Sequence, residues 1–162
     1  MARKPKKKTR KHLEKANDKT WSLIVRYYRK DDPRPCAICG ETFCHDNASG
    51  ETVSDAEAHH LIHRGNLNYR WDVYNGVCLC STHHRFGTEI SAHGRMGGYA
   101  DAGHRFDKVL SENVPEHYAW YEEHVNDKRL VKFFYCDVLE HNERLTKLWK
   151  DMNTVWDMKG GE

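Results

Sequence analysis

The chain has 162 residues, of which 38% are hydrophobic and 31% are charged, and its 26 Lys or Arg slightly outnumber its 24 Asp or Glu. This length suits one domain with extensions, and the modest apolar content predicts a small core that gains from a structural metal. We find no 18-residue apolar run and no apolar segment after the N-terminus, so we expect neither a membrane span nor a secretory signal peptide.

The first 15 residues concentrate the positive charge. They hold eight Lys or Arg and one Glu, a formal charge of about +7, which leaves about −5 for the remaining 147 residues. A block of like charge stays solvated, so residues 1–16 are predicted to form a disordered basic arm that binds DNA or RNA with salt-sensitive affinity. A solubilising tail is the alternative. The basic residues expected to contact nucleic acid here are Lys6, Lys7, Lys8 and Arg10.

A helix is expected directly after this arm. Asn17 or Asp18 can cap its first turn, because a short side-chain oxygen accepts hydrogen bonds from the free backbone N–H groups. Apolar side chains recur at helical spacing at Trp21, Ile24, Val25 and Tyr28. The helix should end near Arg29, because Pro33 disfavours helix in the residue before it.

The six cysteines stand at positions 36, 39, 44, 78, 80 and 136. Their spacing favours metal binding over disulfides, which predicts a cytoplasmic, reducing location. Cys36 and Cys39 have the CxxC spacing of a zinc turn, and Gly40 eases the backbone after them. This pair predicts one half of a tetrahedral zinc site.

The second half of the predicted zinc site is Cys80 with His83, which repeat the same spacing. Structural Zn²⁺ is therefore an expected cofactor. Buried free thiols are the alternative reading, because free cysteine is commonly buried. Cys44 and Cys78 compete as ligands, although the core is the favoured place for Cys78, as it is for Cys136.

Two short strands and a helix are predicted in the middle of the chain. Residues 41–57 are polar and predict an irregular loop or weak hairpin. Residues 58–62 and 76–79 predict strands, separated by a loop that includes residues 64–68, and residues 80–90 predict a helix. The order of strand, loop, strand and helix is that of a ββα unit and places the chain in the α+β class.

Histidines on this unit predict a second metal centre, with residues suited to phosphodiester hydrolysis. His60 suits a general base near neutral pH, and His59 and His84 can hold a divalent cation. Adjacent residues on a regular strand point to opposite faces, so His59 and His60 can serve one site only where the strand ends or bends. The Asn75 amide is expected to bond backbone across the loop and orient His60, and Gly76 after it predicts a tight turn.

This pattern resembles the HNH nucleases, whose motif is a histidine pair, a central asparagine and a final histidine at the start of a helix. Here these are His59-His60, Asn75 and His84, with a spacing similar to that of the colicin DNases. Zinc-stapled members add CxxC before the first strand and CxxCH at the helix. The resemblance covers roughly residues 20–95 and extends to small phage-encoded HNH proteins and, more distantly, to the family of the phage recombination protein NinG.

The resemblance implies a ββα-metal core (His-Me finger, treble-clef-like) with a structural zinc, in an HNH nuclease domain over residues 17–95. It implies a general base at His60, an orienting residue at Asn75, and cation ligands at His59 and His84. The catalytic cation would be Mg²⁺, Mn²⁺, Ni²⁺ or Zn²⁺. The colicin enzymes have a third helix histidine where this chain has Thr88, so His93 or water is expected to replace it.

Three arginines, Arg64, Arg70 and Arg85, flank the motif, and at least one is expected to bind a phosphate through its guanidinium fork. The expected function is a metal-dependent DNA endonuclease, in the host cytoplasm if phage-encoded. The alternative is a non-catalytic zinc module that binds nucleic acid or a phage recombination or packaging partner.

Helices are expected in the C-terminal third. Glycines mark a connection over residues 96–103, and Pro115 suits the first residue of a helix. The longest helical segment is predicted from Asp127 to about Met152. Residues 104–158 are thus a helical extension, which we expect to dock on the nuclease domain, with dimer formation or a phage protein partner as the alternative.

Overall fold

The structure is a computed structural model that describes residues 8–42, 44–46, 52–86, 90–93, 102–129 and 131–157. In these residues the chain forms an α+β fold of helices and two-stranded sheets, which confirms the predicted class. The helices are α1 (Arg10–Arg26), α2 (Ala102–Asn113), α3 (Pro115–His124) and α4 (Tyr135–Asp157). The strands are β1 (Tyr27–Arg29), β2 (Asp32–Pro33), β3 (Cys44–Asp46), β4 (Thr52–Ser54), β5 (Glu57–His60) and β6 (Gly76–Leu79). Consecutive strands pair in antiparallel hairpins, and a π-helical turn (Thr82–Phe86) follows β6.

The hairpin of β5 and β6 corresponds to the two strands predicted around the histidine pair. Its register is regular and pairs His59 with Val77 and His60 with Gly76. The hairpin of β3 and β4 confirms the weak hairpin expected in residues 41–57. The chain after β6 differs from the prediction, because the described residues there form a short π-helical turn rather than a regular α-helix.

Helix α1 begins earlier than predicted. Thr9 is its N-cap and accepts a hydrogen bond from the His12 backbone N–H, so residues 10–16 are helical and are not part of a disordered arm. Asn17, one of the expected caps, is instead buried within the helix, where its side-chain amide donates to Val138 O at 3.0 Å. The helix ends at Arg26, and the residues expected to finish it form β1. Residues 1–7, with Lys6 and Lys7, lie outside the described residues.

Two groups of buried side chains form the core. The first joins α1 to α4 and to the loop before β6, and contains Leu13, Trp21, Ile24, Val25, Trp71, Val138 and Leu145. The second joins the CxxC turn, β6 and α2, and contains Cys36, Ile38, Val77, Leu79, Cys80, Phe106 and Leu110. Strand β6 is buried along its whole length as a result. The C-terminal helices therefore pack on the earlier part of the chain, as expected.

Several details of the C-terminal region differ from the prediction. Helix α3 begins at Pro115 as expected, but α4 begins at Tyr135 rather than Asp127, and α2 precedes both. Residues 125–134 consequently form a connection between α3 and α4. Cys136 is exposed, so its predicted place in the core is wrong. None of the helices in the described ranges is long and apolar enough to cross a membrane.

The tight turn predicted at Gly76 is present, since its N–H donates to Val73 O at 3.1 Å, but the requirement for glycine comes from helix packing. It is the first residue of β6, and a Cβ atom there would lie 2.3 Å from Val25 Cγ2 and 2.7 Å from Trp21 Cζ2. Non-bonded carbon atoms reach their optimal separation at about 3.5–4.0 Å. Any side chain at position 76 would therefore push α1 away from the β5–β6 hairpin.

Candidate metal centres

Cys36, Cys39, Cys80 and His83 lie close enough together to bind a metal ion. Their ligand atoms are within 4.8 Å of one another. Nδ1 of His83 lies 3.1 Å from Cys80 Sγ and 3.7 Å from Cys36 Sγ. Three thiols and one imidazole are a ligand set of structural zinc, so the set predicted from spacing is assembled in the fold.

Backbone hydrogen bonds bring the two halves of this set together. The Gly40 N–H donates to Cys36 O at 2.8 Å and closes the first turn, with Gly40 in the left-handed region at φ 72°. Glycine adopts this conformation without the steric cost that a side chain adds. The Ala37 N–H donates to Cys78 O at 2.8 Å, which ties the turn to β6. Cys80 follows directly after that strand and so faces the first pair.

The ionisation of the thiols suits a cation. Burial raises the pKa of Cys39 to about 11, with a smaller raising effect of neighbouring Cys36 that opposes the lowering effect of the Glu41 backbone. Burial likewise raises the pKa of Cys80. Burial also acts to raise the pKa of Cys36, but hydrogen bonds from the backbone of its neighbours outweigh it and lower that pKa. A cation among these sulfurs stabilises their thiolate forms, so the residues present fit zinc.

The remaining cysteines have other environments. Cys78 is buried, as predicted, and its Sγ donates to Arg34 O at 3.3 Å. Burial raises its pKa to about 12, and it is not among the four clustered ligands. The side chain of Cys44 lies outside the described residues, so its candidacy as a ligand stays a prediction.

A second group that could hold a metal ion consists of His59, His84 and His93. Their ligand atoms also lie within 4.8 Å of one another, and Nε2 of His93 lies 3.2 Å from Nε2 of His84. His59 comes from β5 and His84 from the π-helical turn. His93 reaches them because its backbone runs beside that turn, where its N–H donates to His84 O at 3.3 Å. Of the two alternatives for the third ligand, His93 and water, the structure places His93 in the cluster.

Two of these histidines are held in the neutral form. Burial, with smaller contributions from the nearby His84 and His93, lowers the pKa of His59 to about 3. Burial also lowers the pKa of His93, with a smaller contribution from His84. Neutral imidazole is the form that binds metal, so this environment favours ligation at neutral pH.

Glu57 orients the cluster and was missed by the sequence analysis. Its Oε2 accepts hydrogen bonds from His84 Nδ1 and, at 2.9 Å, from Arg85 Nε. A carboxylate on one ring nitrogen fixes the tautomer and directs the other nitrogen toward a metal. Glu57 stands two residues before His59 on β5, and alternate strand residues share a face. That spacing is the signal that could have identified it.

His60 lies apart from the three-histidine cluster. Its ring stacks on Trp21 of α1, with centroids 3.8 Å apart, and its Nε2 lies 2.9 Å from Arg70 O. Burial lowers its pKa, against a smaller opposing effect of the Arg70 carbonyl. His60 is the last residue of β5, so the strand ends there, which is the condition stated for His59 and His60 to serve one site. The His60 ring lies on Trp21, whereas the His59 ring packs against His84 and His93.

Asn75 is fully buried and joins the ends of the loop between β5 and β6. Its Oδ1 accepts from the Ile62 N–H at 2.6 Å, and its Nδ2 donates to Ile62 O at 3.0 Å and to Tyr69 O at 2.9 Å. The predicted bonding of its amide to backbone across the loop is confirmed. Its orienting effect on His60 stays a prediction.

Replacing Asn75 by alanine is expected to lower the free energy of unfolding by about 3 kcal/mol or more, since an unsatisfied buried polar group costs about 1–3 kcal/mol and three would be left. Urea unfolding followed by circular dichroism measures the loss. Asn66→Ala is the matched control, because Asn66 is only partly buried and its side chain accepts one bond, from the Asn68 N–H at 3.1 Å. Equal losses in the two variants would contradict this account.

The arginines expected to bind phosphate differ in availability. Arg70 donates to both carboxylate oxygens of Asp18, at 2.9 and 2.7 Å, and only 18% of its side chain is exposed. Arg85 is 57% exposed beside Glu57, and Arg64 is exposed. The structure thus leaves Arg64 and Arg85 more accessible to a phosphate than Arg70. The phosphate contacts themselves stay a prediction.

Of the arm residues, Lys8 and Arg10 fall within the described part. Arg10 donates to Glu14 at 2.8 Å and to Phe133 O at 2.7 Å, so its guanidinium is engaged within the protein. The Lys8 side chain is exposed, while its carbonyl accepts from Tyr135 Oη at 3.1 Å.

The two centres differ in the chemistry that they can support. The thiol-rich set supplies four protein ligands, the number that closes a structural zinc site. The histidine set supplies three ligands, partly exposed, which leaves room for exchangeable ligands on a bound cation. Comparison of the chain with protein-family models, with curated proteins and with solved structures finds no match.

Proposed function

We propose that the chain is a metal-dependent endonuclease of the HNH type that hydrolyses phosphodiester bonds in DNA. The observation that carries this proposal is the convergence of His59, His84 and His93. The Glu57 carboxylate accepts a hydrogen bond from Nδ1 of His84, on the side of the ring away from Nε2. A purely structural site has no need for a partly exposed set of three ligands beside a complete set of four. In this proposal β5, β6 and the π-helical turn correspond to a ββα-metal core, which the adjacent zinc site stabilises.

The three histidines would hold one divalent cation, which supplies charge stabilisation at the phosphate and at the leaving oxygen. Imidazole ligands favour Zn²⁺ and Ni²⁺ over Mg²⁺. Glu57 would keep the Nδ1 proton of His84 in place, so that Nε2 faces the cation. The exposed Arg64 and Arg85 would bind neighbouring phosphates.

His60 would act as the general base. A carbonyl oxygen only accepts, so the contact with Arg70 O assigns the proton of the neutral ring to Nε2 and leaves Nδ1 free to take a proton from water. The lowered pKa of His60, caused mainly by burial, keeps the ring unprotonated at neutral pH. In this role, Nδ1 of His60 takes a proton from the water that attacks the phosphate.

A non-catalytic zinc module that binds nucleic acid is the second candidate. One observation favours it: His60 stacks on Trp21 and bonds a backbone carbonyl, as a histidine with a packing role would.

Cleavage of supercoiled plasmid by the zinc-loaded protein separates the two candidates. We expect wild type to nick or linearise the plasmid with Ni²⁺, Mn²⁺ or Mg²⁺ and to be inactive in EDTA. We expect His60→Ala to cut at least about a hundredfold more slowly, since general-base catalysis contributes roughly 10²–10⁴. His104→Ala, which removes an exposed histidine on α2, should cut at the wild-type rate.

Circular dichroism and zinc content of each variant establish that it is folded. No cleavage of plasmid, branched DNA or RNA by wild type with any of these cations would leave the non-catalytic module as the function. A folded His60→Ala variant that cuts at the wild-type rate would remove His60 from the mechanism.

A further inference from the structure

The connection between α3 and α4, residues 125–134, presents apolar and basic side chains together. Among the described residues, three of the five large hydrophobic side chains that are exposed lie here: Val125 (40% exposed), Val131 (55%) and Phe134 (64%). Lys128 and Lys132 alternate with them and are exposed as well. We call the described residues of this connection, 125–129 and 131–134, the connector.

Hydrogen bonds hold the connector backbone at two places. On one side, Asn68 Nδ2 donates to Arg129 O at 2.7 Å, and Tyr69 Oη donates to the Asp127 carboxylate. On the other side, Arg10 donates to Phe133 O at 2.7 Å. The connector is therefore fixed between the loop that precedes Asn75 and the start of α1, while its lysines and Phe134 face solvent.

Lys8, the first described residue, lies beside the connector, because Tyr135 Oη donates to its carbonyl at 3.1 Å. Residues 1–15 hold eight basic residues and one acidic one, and the connector holds three basic residues and one acidic one. The rest of the chain then has 15 basic and 22 acidic residues, a formal charge of −7. Positive charge is thus concentrated in residues 1–15 and in the connector, and the rest of the chain is acidic.

We infer that the connector binds an unpaired stretch of DNA, with Lys128 and Lys132 on the phosphates and a base stacked on Phe134. Lysines that alternate with an exposed aromatic ring match single-stranded nucleic acid, since any base offers a face for stacking. The same mixture fits a protein partner poorly, because lysine is depleted at protein–protein interfaces. Arg129 has a different role, since it pairs with Asp127 at 2.7 Å and so supports the contact with Tyr69.

This inference rests on the proposed function only in taking DNA as the substrate, and binding can be measured without cleavage. The test is fluorescence anisotropy of a labelled single-stranded oligonucleotide with zinc-loaded protein and no added divalent cation. Lys128→Ala with Lys132→Ala should weaken binding and reduce the slope of log affinity against log salt by about 1.4, since each phosphate contact on a single strand contributes about 0.7. Lys147→Ala with Lys150→Ala, the same change on exposed positions of α4, should leave the slope unchanged.

Phe134 gives an independent readout. Phe134→Ala should weaken single-strand binding on the order of tenfold, as loss of one stacked base does, without changing the salt slope. Phe134→Trp should retain the affinity, because the larger ring also stacks. Binding of a fully paired duplex should change less than binding of the single strand.

Three results would overturn the inference: no binding of the oligonucleotide by wild type, equal losses in the two lysine pairs, or an unchanged affinity in Phe134→Ala. In the last case, an altered elution volume of that variant in size-exclusion chromatography would identify the connector as a self-association surface. A protein that binds in the expected pattern but never cuts plasmid would support this surface and overturn the nuclease proposal alone.

Discussion

Cys80→Ser is expected to lose the structural zinc and to unfold the part of the protein that packs around β6. Cys80 is 3% exposed, and its Sγ lies 3.1 Å from Nδ1 of His83. Its carbonyl oxygen accepts a hydrogen bond from the backbone N–H of His84. Zinc bound by such a set contributes about 10–16 kcal/mol in small zinc-dependent folds, and whole domains are stable by only about 5–15 kcal/mol. If loss of one thiolate abolishes zinc binding, the free energy lost is comparable to the whole free energy of unfolding of a domain.

The measurements are zinc per chain by metal analysis and the thermal midpoint by circular dichroism. We expect wild type to hold one tightly bound zinc, and Cys80→Ser to hold less and to melt at a far lower temperature. Cys136→Ser is the matched control, because Cys136 is exposed on α4 and does not belong to the clustered ligands. A Cys80→Ser protein with full zinc and the wild-type midpoint would contradict the assignment of this ligand.

The nuclease proposal predicts that His84→Ala strongly slows plasmid cleavage and leaves the four-ligand Cys/His site loaded with zinc. It removes one of three cation ligands and also the partner of the Glu57 carboxylate. A catalytic cation supplies several kcal/mol of transition-state stabilisation, and each 1.36 kcal/mol is a factor of ten in rate. We therefore expect a loss on the order of a thousandfold in cleavage rate.

Glu57→Gln serves as the graded comparison for His84→Ala. The amide keeps the shape of the carboxylate but holds the His84 ring less firmly, and loss of such an orienting partner costs about 10–100-fold in metal affinity or activity. Nicking rates and Ni²⁺ titration calorimetry should therefore rank His104→Ala near wild type, Glu57→Gln intermediate and His84→Ala lowest. The reverse order of the last two would show that the cation is not held by His84.

The four residues of the Cys/His set were predictable from the sequence because the spacing within each pair is local and does not depend on how the rest of the chain folds. The histidine pair was less informative: the sequence placed His59 and His60 at one site, and only His59 lies among the three clustered histidines. Glu57 was not predictable in the same way, since its role depends on reaching across from β5 to the π-helical turn. The sequence left open whether His93 or water is the third ligand for the same reason, because His93 reaches the cluster only through the folded π-helical turn.

The helix boundaries show a second limit of sequence reasoning. Asn17 and Asp18 have the chemistry of N-caps, but here they bind Val138 and Arg70 on other parts of the chain. A capping preference amounts to about 1 kcal/mol, and it does not indicate whether the same side chain forms a hydrogen bond to a distant part of the chain instead. The start of α4 was misplaced similarly, because Phe133 and Phe134 fit the helical period of the later apolar residues but precede the helix.

The absence of a side chain at position 76 has a consequence for the neighbouring strand. Because nothing projects there, Trp21 lies against the hairpin, where its indole N–H donates to Asp72 O at 2.7 Å and its ring covers His60. One glycine thus sets how closely Trp21 approaches the hairpin and the His60 ring stacked on it. A methyl group at this position would displace Trp21 and so disturb the packing of His60, although the nearest atoms to that methyl belong to Trp21 and Val25 and not to the clustered cysteines and histidines.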